Sequence, residues 1–387
     1  MKLQSLCLEN VGCIRNLSLE DINPKINVIT GPNGVGKTTL LKAICSILTS
    51  TEGVQLKRNV QSEQGYIEAT LINGQGMSRK KQKIEQYSPN DNDYTNGFGL
   101  GKKLIYIADN RELDYVMLQN VPRDIIKPDY KYKKEILVYP EQIKGWFINR
   151  YLFSAHPGSL SDSQMANFEL AKSAFSILDN SVQFEKVDSH SLDIILNTSF
   201  GSIYFEYLSS GFKSVIILVL GIIKEIEFRL SDSNVKVADF DGIVVIDEIE
   251  LHLHPTWQAK IVRTLLELFP QIQFFISTHS PHVVQSLSPG ELIALEKSED
   301  NIVRRELPVN ETGYIGWTVE EILRDVMGIS TTYPDNFQNL WEAFTASIGN
   351  EDISEAYKTG KQLLKMLHPA NILRKVIELQ LTSLAHD

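Results

Sequence analysis

Gly31-Pro32-Asn33-Gly34-Val35-Gly36-Lys37-Thr38 decides the reading of this chain. The octet fits G-x-x-x-x-G-K-[ST] without a mismatch. The apolar run INVIT leads into it, and KTTLLKAICSIL follows, with Leu40, Leu41, Ile44, Ile47 and Leu48 at helical spacing. Strand, glycine-rich loop and helix in that order make a phosphate cradle. Glycines let the backbone curl so that successive N–H groups point inward, and the following helix adds its partial positive N-terminus. Lys37 is placed to reach the β- and γ-phosphates of ATP, and the Thr38 hydroxyl to ligate Mg²⁺. Asn33, Gly34, Val35, Gly36 and Thr39 belong to the same cradle.

Three further stretches fit that chemistry. Gly242 to Glu248 (GIVVIDE) is an apolar run ending in two carboxylates, which a parallel sheet delivers to its C-terminal edge, where ligands bind. Asp247 is the candidate metal ligand and Glu248 the candidate general base for an attacking water. Ser277-Thr278-His279-Ser280-Pro281-His282 follows the run QIQFFI. His279 comes 32 residues after Asp247, so one strand–helix–strand step brings its imidazole to the neighbouring edge. His282 reads as a structural or helix-start residue. Leu208-Ser209-Ser210-Gly211-Phe212 opens the helical run 212–230, as a second anion site or a plain N-cap.

Composition bounds the rest. A length of 387 residues allows two or three structural units. With 43% apolar and 22% charged residues the chain is globular, which excludes disorder, collagen and a disulfide scaffold. The longest central apolar run, Val215 to Ile223, is nine residues against the ~20 of a membrane span, so no membrane helix is expected. The N-terminus lacks the apolar core of a signal peptide. Cys7, Cys13 and Cys45 match no metal-ligand spacing and read as reduced, buried thiols of a cytoplasmic protein. His252 and His254 have no third ligand nearby in sequence, so they are not read as a metal pair.

A net charge of −10 argues against a surface that coats nucleic acid wholesale, but leaves room for one basic face. Residues 57–134 hold 14 Lys/Arg against 10 Asp/Glu. Arg79, Lys80, Lys81 and Lys83 cluster there, as do Lys131, Lys133 and Lys134. Tyr66, Tyr87, Tyr94, Tyr106, Tyr115, Tyr130 and Tyr132 are interleaved. Such a stretch suits nucleic acid, and equally a solvated loop.

Patterning predicts strands over 1–30, 65–72, 103–109 and 182–207, a loop over 73–101, and helices over 141–180, 212–230 and 256–269. QIQFFIST reads as a strand, ELIALEK and IVRREL as a hairpin, and the chain from Val319 onward as helical. No sustained heptads and no internal repeat occur. The expected division is 1–50 (N-lobe), 51–205 (inserted middle subdomain), 206–310 (C-lobe) and 311–387 (helical tail).

GPNGVGKT, LSSGFKS, VVIDEIELHLHP and STHSPH stand in one order, preceded by LQSLCLENVGCIRNLSLE. In this the chain resembles an ABC-type ATPase head of the RecF/SMC/OLD-like branch. The resemblance implies an α/β fold: a P-loop head with a mixed or parallel central sheet, an inserted middle and a helical tail. It implies one ATP held between the P-loop of one subunit and the signature loop of another. An ATP-dependent homodimer follows, with a higher oligomer left open. LSSGF departs from the family's LSGGQ at Ser210 and Phe212 and keeps Ser209 and Gly211, which contact the γ-phosphate in the family. Gln61 and Gln64 are candidates for the family's glutamine loop, Asn10 and Arg15 for nucleotide contact, and Glu250 and His254 for interface or site support.

The 158 residues from 50 to 207 exceed what a transporter head inserts, and they lack the coiled coil of an SMC-type repair ATPase. An OLD-type nuclease needs a Toprim glutamate and an Asp-x-Asp pair. The 108 residues after His279 contain no Asp-x-Asp, so no nuclease centre is expected in this chain. LSSGFKS, DEIELHLHP and GWTVEEILRDVMG resemble the PtuA-type ATPase subunits of Septu and Septu-like retron anti-phage systems. That implies a separately encoded HNH nuclease, which the ATPase holds or gates. The alternatives are a RecF-like ATPase in DNA repair and a nucleotide-locked scaffold with negligible turnover.

Overall fold

A computed structural model of the chain describes residues 1–49, 56–74, 76–85, 97–109, 111, 115, 117–124, 136–231, 234–308, 311–329, 331 and 333–384. They form two compact units, Met1–Gly328 and Ile329–Asp387.

The first unit carries β1 (Lys2–Val11), β2 (Ile14–Leu19), β3 (Ile26–Thr30), α1 (Lys37–Leu48), β4 (Gly65–Asn73), β5 (Gly76–Ile84) and β6 (Leu104–Ile107). Then come α2 (Glu141–Ser154), α3 (Asp162–Leu178), β7 (Gln183–Val187), β8 (Ile194–Thr198), β9 (Gly201–Tyr204) and α4 (Ser210–Arg229). It closes with β10 (Ile243–Ile246), α5 (Pro255–Gln258), α6 (Ile261–Leu268), β11 (Gln273–Ser277), α7 (Pro281–Gln285), β12 (Leu292–Ser298), β13 (Asn301–Arg304) and α8 (Val319–Glu321), which runs into a π turn at Ile322–Val326.

The central sheet has the order β13-β12-β3-β11-β10-β6. All neighbours are parallel except the edge strand β13. Its inner strands are buried on both faces, which is why GIVVID and QIQFFI read as unbroken apolar runs. Side chains alternate between two cores. Val244, Ile246, Phe274 and Ile276 face the layer of α2, α3, α4 and α6. Ile243, Val245, Phe275 and Ile29 face α1 and the antiparallel sheet β2-β1-β4-β5. Buried Gln273 ties that sheet to the central one: its amide receives from Leu3 N (2.7 Å) and donates to Leu3 O and Asn23 O (each 2.9 Å).

Two expectations are corrected. Residues 76–84 are a strand, not part of a 73–101 loop. The sequence GMSRKKQKI carries no apolar alternation because β5 is a solvent-exposed sheet edge, specified by its pairing with β4. Residues 256–269 form two helical segments, α5 and α6, in place of one continuous helix.

Residues 311–328 belong to the first unit rather than the tail, since Ile322, Val326 and Met327 are buried in its core. The second unit is three helices, α9 (Asp335–Gly349), α10 (Ile353–Met366) and α11 (Ile372–Ser383), around Phe344, Ala356, Leu363 and Ile377. Asp352 and Asn371 cap α10 and α11, accepting from Glu355 N (3.1 Å) and Leu373 N (2.9 Å). Among the described residues no helix is long and apolar enough to cross a membrane.

Truncating a fully buried strand residue tests this core. Ile276→Ala should lower unfolding stability by about 2–5 kcal/mol. Ile315→Ala, at a residue 73% exposed, should shift it by less than about 0.5 kcal/mol. Denaturant titrations of both variants make the comparison.

Candidate functional site

Strand order builds the site. β11 lies between β3 and β10, so the loops leaving these three strands emerge side by side at the C-terminal edge. The loop after β3 is the glycine-rich octet. Gly31 has φ 144°, and a Cβ there would lie 2.3 Å from Leu295 O, so glycine alone fits. Gly36 occupies the N-cap of α1 with no side-chain cap, which leaves the first-turn N–H groups for an anion. Lys37 Nζ donates to Gly31 O (2.9 Å) and Pro32 O (3.0 Å). Burial lowers its pKa, against the raising pull of Glu248, Glu250 and Asp247.

After β10 come Asp247 and Glu248. Asp247 is buried, and its Oδ1 accepts from Ser277 Oγ and lies 3.4 Å from Thr38 Oγ1. A hydroxyl and a carboxylate oxygen brought together this way are hard-oxygen donors that fit Mg²⁺. Glu248 has φ 48°, a left-handed conformation uncommon for glutamate, and its N–H donates to Ser277 Oγ at 2.7 Å. Glu250 braces the loop after β11: its carboxylate accepts from Thr278 Oγ1 (2.7 Å) and from the backbone N–H of His279.

These parts enclose a cleft of about 380 Å³ lined by Cys13, Asn33, Gly34, Gly36, Lys37, Thr38, Thr39, Asp247, Glu248, Ser277 and His279. Val35 is buried beneath the loop. The cleft thus gathers Asn33, Gly34, Gly36, Lys37, Thr38, Thr39, Asp247, Glu248 and His279 from three separate stretches of sequence.

Ser209 and Gly211 stand apart from this lining. Ser209 caps α4, its Oγ accepting from Phe212 N at 3.3 Å, and both Ser209 and Ser210 are exposed. Gly211 is buried against the loop after β10, where a Cβ would lie 2.9 Å from His252 O. Phe212 packs edge-on to Trp257 with 5.9 Å between centroids, so this departure from the family pattern is an anchor for the helix start. Ser214 Oγ donates to Leu251 O (3.0 Å), tying the same two segments again. His254 caps α5 through Thr256.

Asn10, Arg15, Gln61 and Gln64 do not line the cleft. Arg15 donates to Gln61 Oε1 (2.6 Å) and pairs with Asp300 (3.5 Å); Gln64 accepts from Tyr66 OH (2.5 Å). Sequence reasoning missed three contributors. Ser277 bridges Asp247 and Glu248. Cys13 borders the cradle. Arg111 lies buried behind the two carboxylates and donates to the carbonyls of Asp247, Glu248 and Ile249. Ser277 opens the motif that carries His279, but its contacts with Asp247 and Glu248, like those of Arg111, come from strand adjacency, and Cys13 is placed by the turn between β1 and β2.

The site and sheet define a P-loop ATPase. Residues 5–189 match the "AAA domain" family, and residues 128–285 match "AAA domain, putative AbiEii toxin, Type IV TA system". The SMC head domain from Thermotoga maritima covers 79% of this chain at 16% identity with a TM-score of 0.47. The Septu protein PtuA of Bacillus thuringiensis is 40% identical over 385 residues, covering 98% of this chain and 97% of that one. The chain therefore belongs to the PtuA family. A retron Ec83 probable ATPase from Escherichia coli is 30% identical over 201 residues, which is 51% of this chain and 35% of that protein.

Of the three thiols, one reports on the cleft. Cys45 is fully buried and burial raises its pKa; burial, then Glu68 and Glu9, raise that of Cys7. Cys13 corrects the expectation of a buried thiol: it sits in the β1–β2 turn and is exposed at the cleft. A maleimide should label Cys13 first, and saturating ATP should slow that labelling several-fold; peptide mass spectrometry reads both.

Proposed function

We propose that this protein is a Mg²⁺-dependent, ATP-driven homodimeric switch that holds or gates a separately encoded HNH-type nuclease in bacterial anti-phage defence. The observation that carries the reading is the near full-length relationship to a Septu PtuA chain. The retron relative supports the same setting. The protein acts in the cytoplasm, with no membrane component.

The roles follow from the cleft. Lys37 and the loop N–H groups hold the β- and γ-phosphates. Thr38 and Asp247 would hold Mg²⁺, which supplies charge neutralisation at the phosphate oxygens. Glu248 accepts the proton of the water that attacks the γ-phosphorus, and the products are ADP and phosphate. His279 donates to a γ-phosphate oxygen or orients that water. Ser209 and Gly211 act on the cleft of a second copy, since they do not line their own. Binding closes the two heads and hydrolysis reopens them.

Lys37→Ala should abolish ATP binding. Glu248→Gln should bind ATP, lose at least ~10²-fold in turnover, and accumulate as the closed dimer. Equilibrium binding, phosphate release and light scattering read these outcomes; normal hydrolysis by Glu248→Gln would remove the general-base assignment. Capture of tagged protein from its host with an HNH nuclease in near-stoichiometric amount supports the defence reading. Capture with replication and repair factors supports a RecF-like DNA transaction instead.

Nucleic acid is a proposed partner through β5. Arg79, Lys81 and Lys83 alternate along the strand opposite Thr70, Glu68 and Tyr66, and so share one face. Their spacing of about 6.8 Å suits a phosphate backbone. Arg79 pairs with Glu68 and Lys83 with Glu85 (2.8 Å), and Lys81 lies over the Tyr66 ring (4.4 Å). The cluster Lys131, Lys133 and Lys134, with Tyr87, Tyr94, Tyr130 and Tyr132, lies outside the described residues. Replacing Arg79, Lys81 and Lys83 together with Gln should weaken duplex DNA binding and flatten its log–log salt slope by about three units. An unchanged slope would remove β5 from the interface.

A further inference from the structure

Arg111 has no role in the phosphate cradle, yet its surroundings are unusual. It is 2% exposed and follows β6, the strand that pairs with β10. Its guanidinium donates to three consecutive carbonyls, those of Asp247, Glu248 and Ile249 (the last at 3.3 Å), and to Ala108 O at 3.3 Å. A planar fork with five N–H groups can grip several acceptors at once, which an ammonium cannot. Burial pulls its pKa down to about 10, against the raising effect of Glu250, Asp247, Asp109 and Glu248.

What the grip holds is a strained residue. Glu248 has φ 48°. Such a conformation persists only where the surroundings over-determine it. Two contacts do so from opposite ends of the residue: Ser277 Oγ accepts from its N–H at 2.7 Å, and Arg111 donates to its carbonyl. Without the second contact, the peptide after Glu248 is free to relax toward an ordinary conformation. The carboxylate would then leave the cleft edge, while Gly31 to Thr38 stay as they are.

We infer that Arg111 is a positioning residue for hydrolysis, clamping the backbone of Asp247 to Ile249 so that Glu248 is held in its left-handed conformation facing the cleft. The inference rests on the role of Glu248 proposed above. It separates binding from turnover, because the clamp touches the backbone of the loop after β10 and not Gly31 to Thr38, and the Asp247 carboxylate keeps its own tie to Ser277 Oγ.

The test uses the full-length protein with Arg111→Lys and Arg111→Ala beside Glu248→Gln. Affinity for a slowly hydrolysed ATP analogue should match wild type in both Arg111 variants. Turnover should fall by ~10²-fold, the scale of a misplaced catalytic group. Arg111→Lys should recover little, since one ammonium does not span three carbonyls, whereas millimolar guanidinium should restore part of the turnover of Arg111→Ala. Wild-type turnover in Arg111→Lys would overturn the inference. So would affinity and turnover falling together with no response to guanidinium, the mark of a purely structural arginine. If Arg111→Ala does not fold, Arg111→Lys, which keeps a buried cation, decides alone. Wild-type turnover in Glu248→Gln would instead remove the general-base reading, whatever the Arg111 variants do.

Discussion

The site depends on one constraint: β11 hydrogen-bonds to β3 on one side and β10 on the other. That adjacency brings Lys37, Asp247 and His279 into one cleft although more than 200 residues of sequence lie between the first two. Shifting any of the three strands by one residue would turn its buried side chains to the opposite core and misalign the loops. The two apolar layers that clasp the sheet therefore fix the chemistry as well as the fold. The end of the first unit braces the cradle from behind, where Gly328 approaches Pro32 Cγ (3.2 Å from the position of a Cβ) and Arg305 donates to Asp325 O at 2.8 Å.

Around the sheet edge, polar groups are buried and matched. Ser277 is the junction, donating to Asp247 and accepting from Glu248 N. The helical layer pairs its buried charges too, although Glu206 Oε2 and Glu227 Oε1 are buried without a hydrogen-bond partner. On α4, Lys224 and Arg229 both pair with Glu225 at 2.9 Å. Glu227 accepts from Trp146 Nε1 (2.6 Å) and Arg150 Nε (2.9 Å). Lys144 of α2 bridges Asp193 and Glu206, each at 2.6 Å. Such buried pairs add little net stability when formed and cost about 3–5 kcal/mol when one partner is removed. Their positions matter more: Glu206 comes three residues before Ser209, so the middle region sets the approach of the chain to the α4 N-terminus.

Much of the cleft was legible in the sequence because its parts are local. A phosphate loop needs glycines at fixed offsets between a strand and a helix, and a doubly buried strand needs a solid apolar run. The contacts of Arg111 and Ser277 with Asp247 and Glu248 were illegible, because each arises from strand adjacency and not from spacing along the chain. β5 was illegible for another reason: its exposed edge carries cations where a buried strand would alternate, so its pairing with β4 left no apolar signal. Phe212 shows the limit of reading by family pattern. The pattern registers it only as a departure from glutamine, whereas its ring makes an edge-on contact with Trp257.

The central claim is that the ATP site is completed by a second copy. It is tested most directly by mixing two inactive variants, Lys37→Ala and Ser209→Arg, and measuring phosphate release. A mixed dimer pairs the intact P-loop of one copy with the intact signature of the other, so random exchange should restore about a quarter of wild-type turnover. A mixture as inactive as its components, with exchange of copies verified by mass, would contradict a shared site. Full activity of Ser209→Arg alone would contradict a role for the signature.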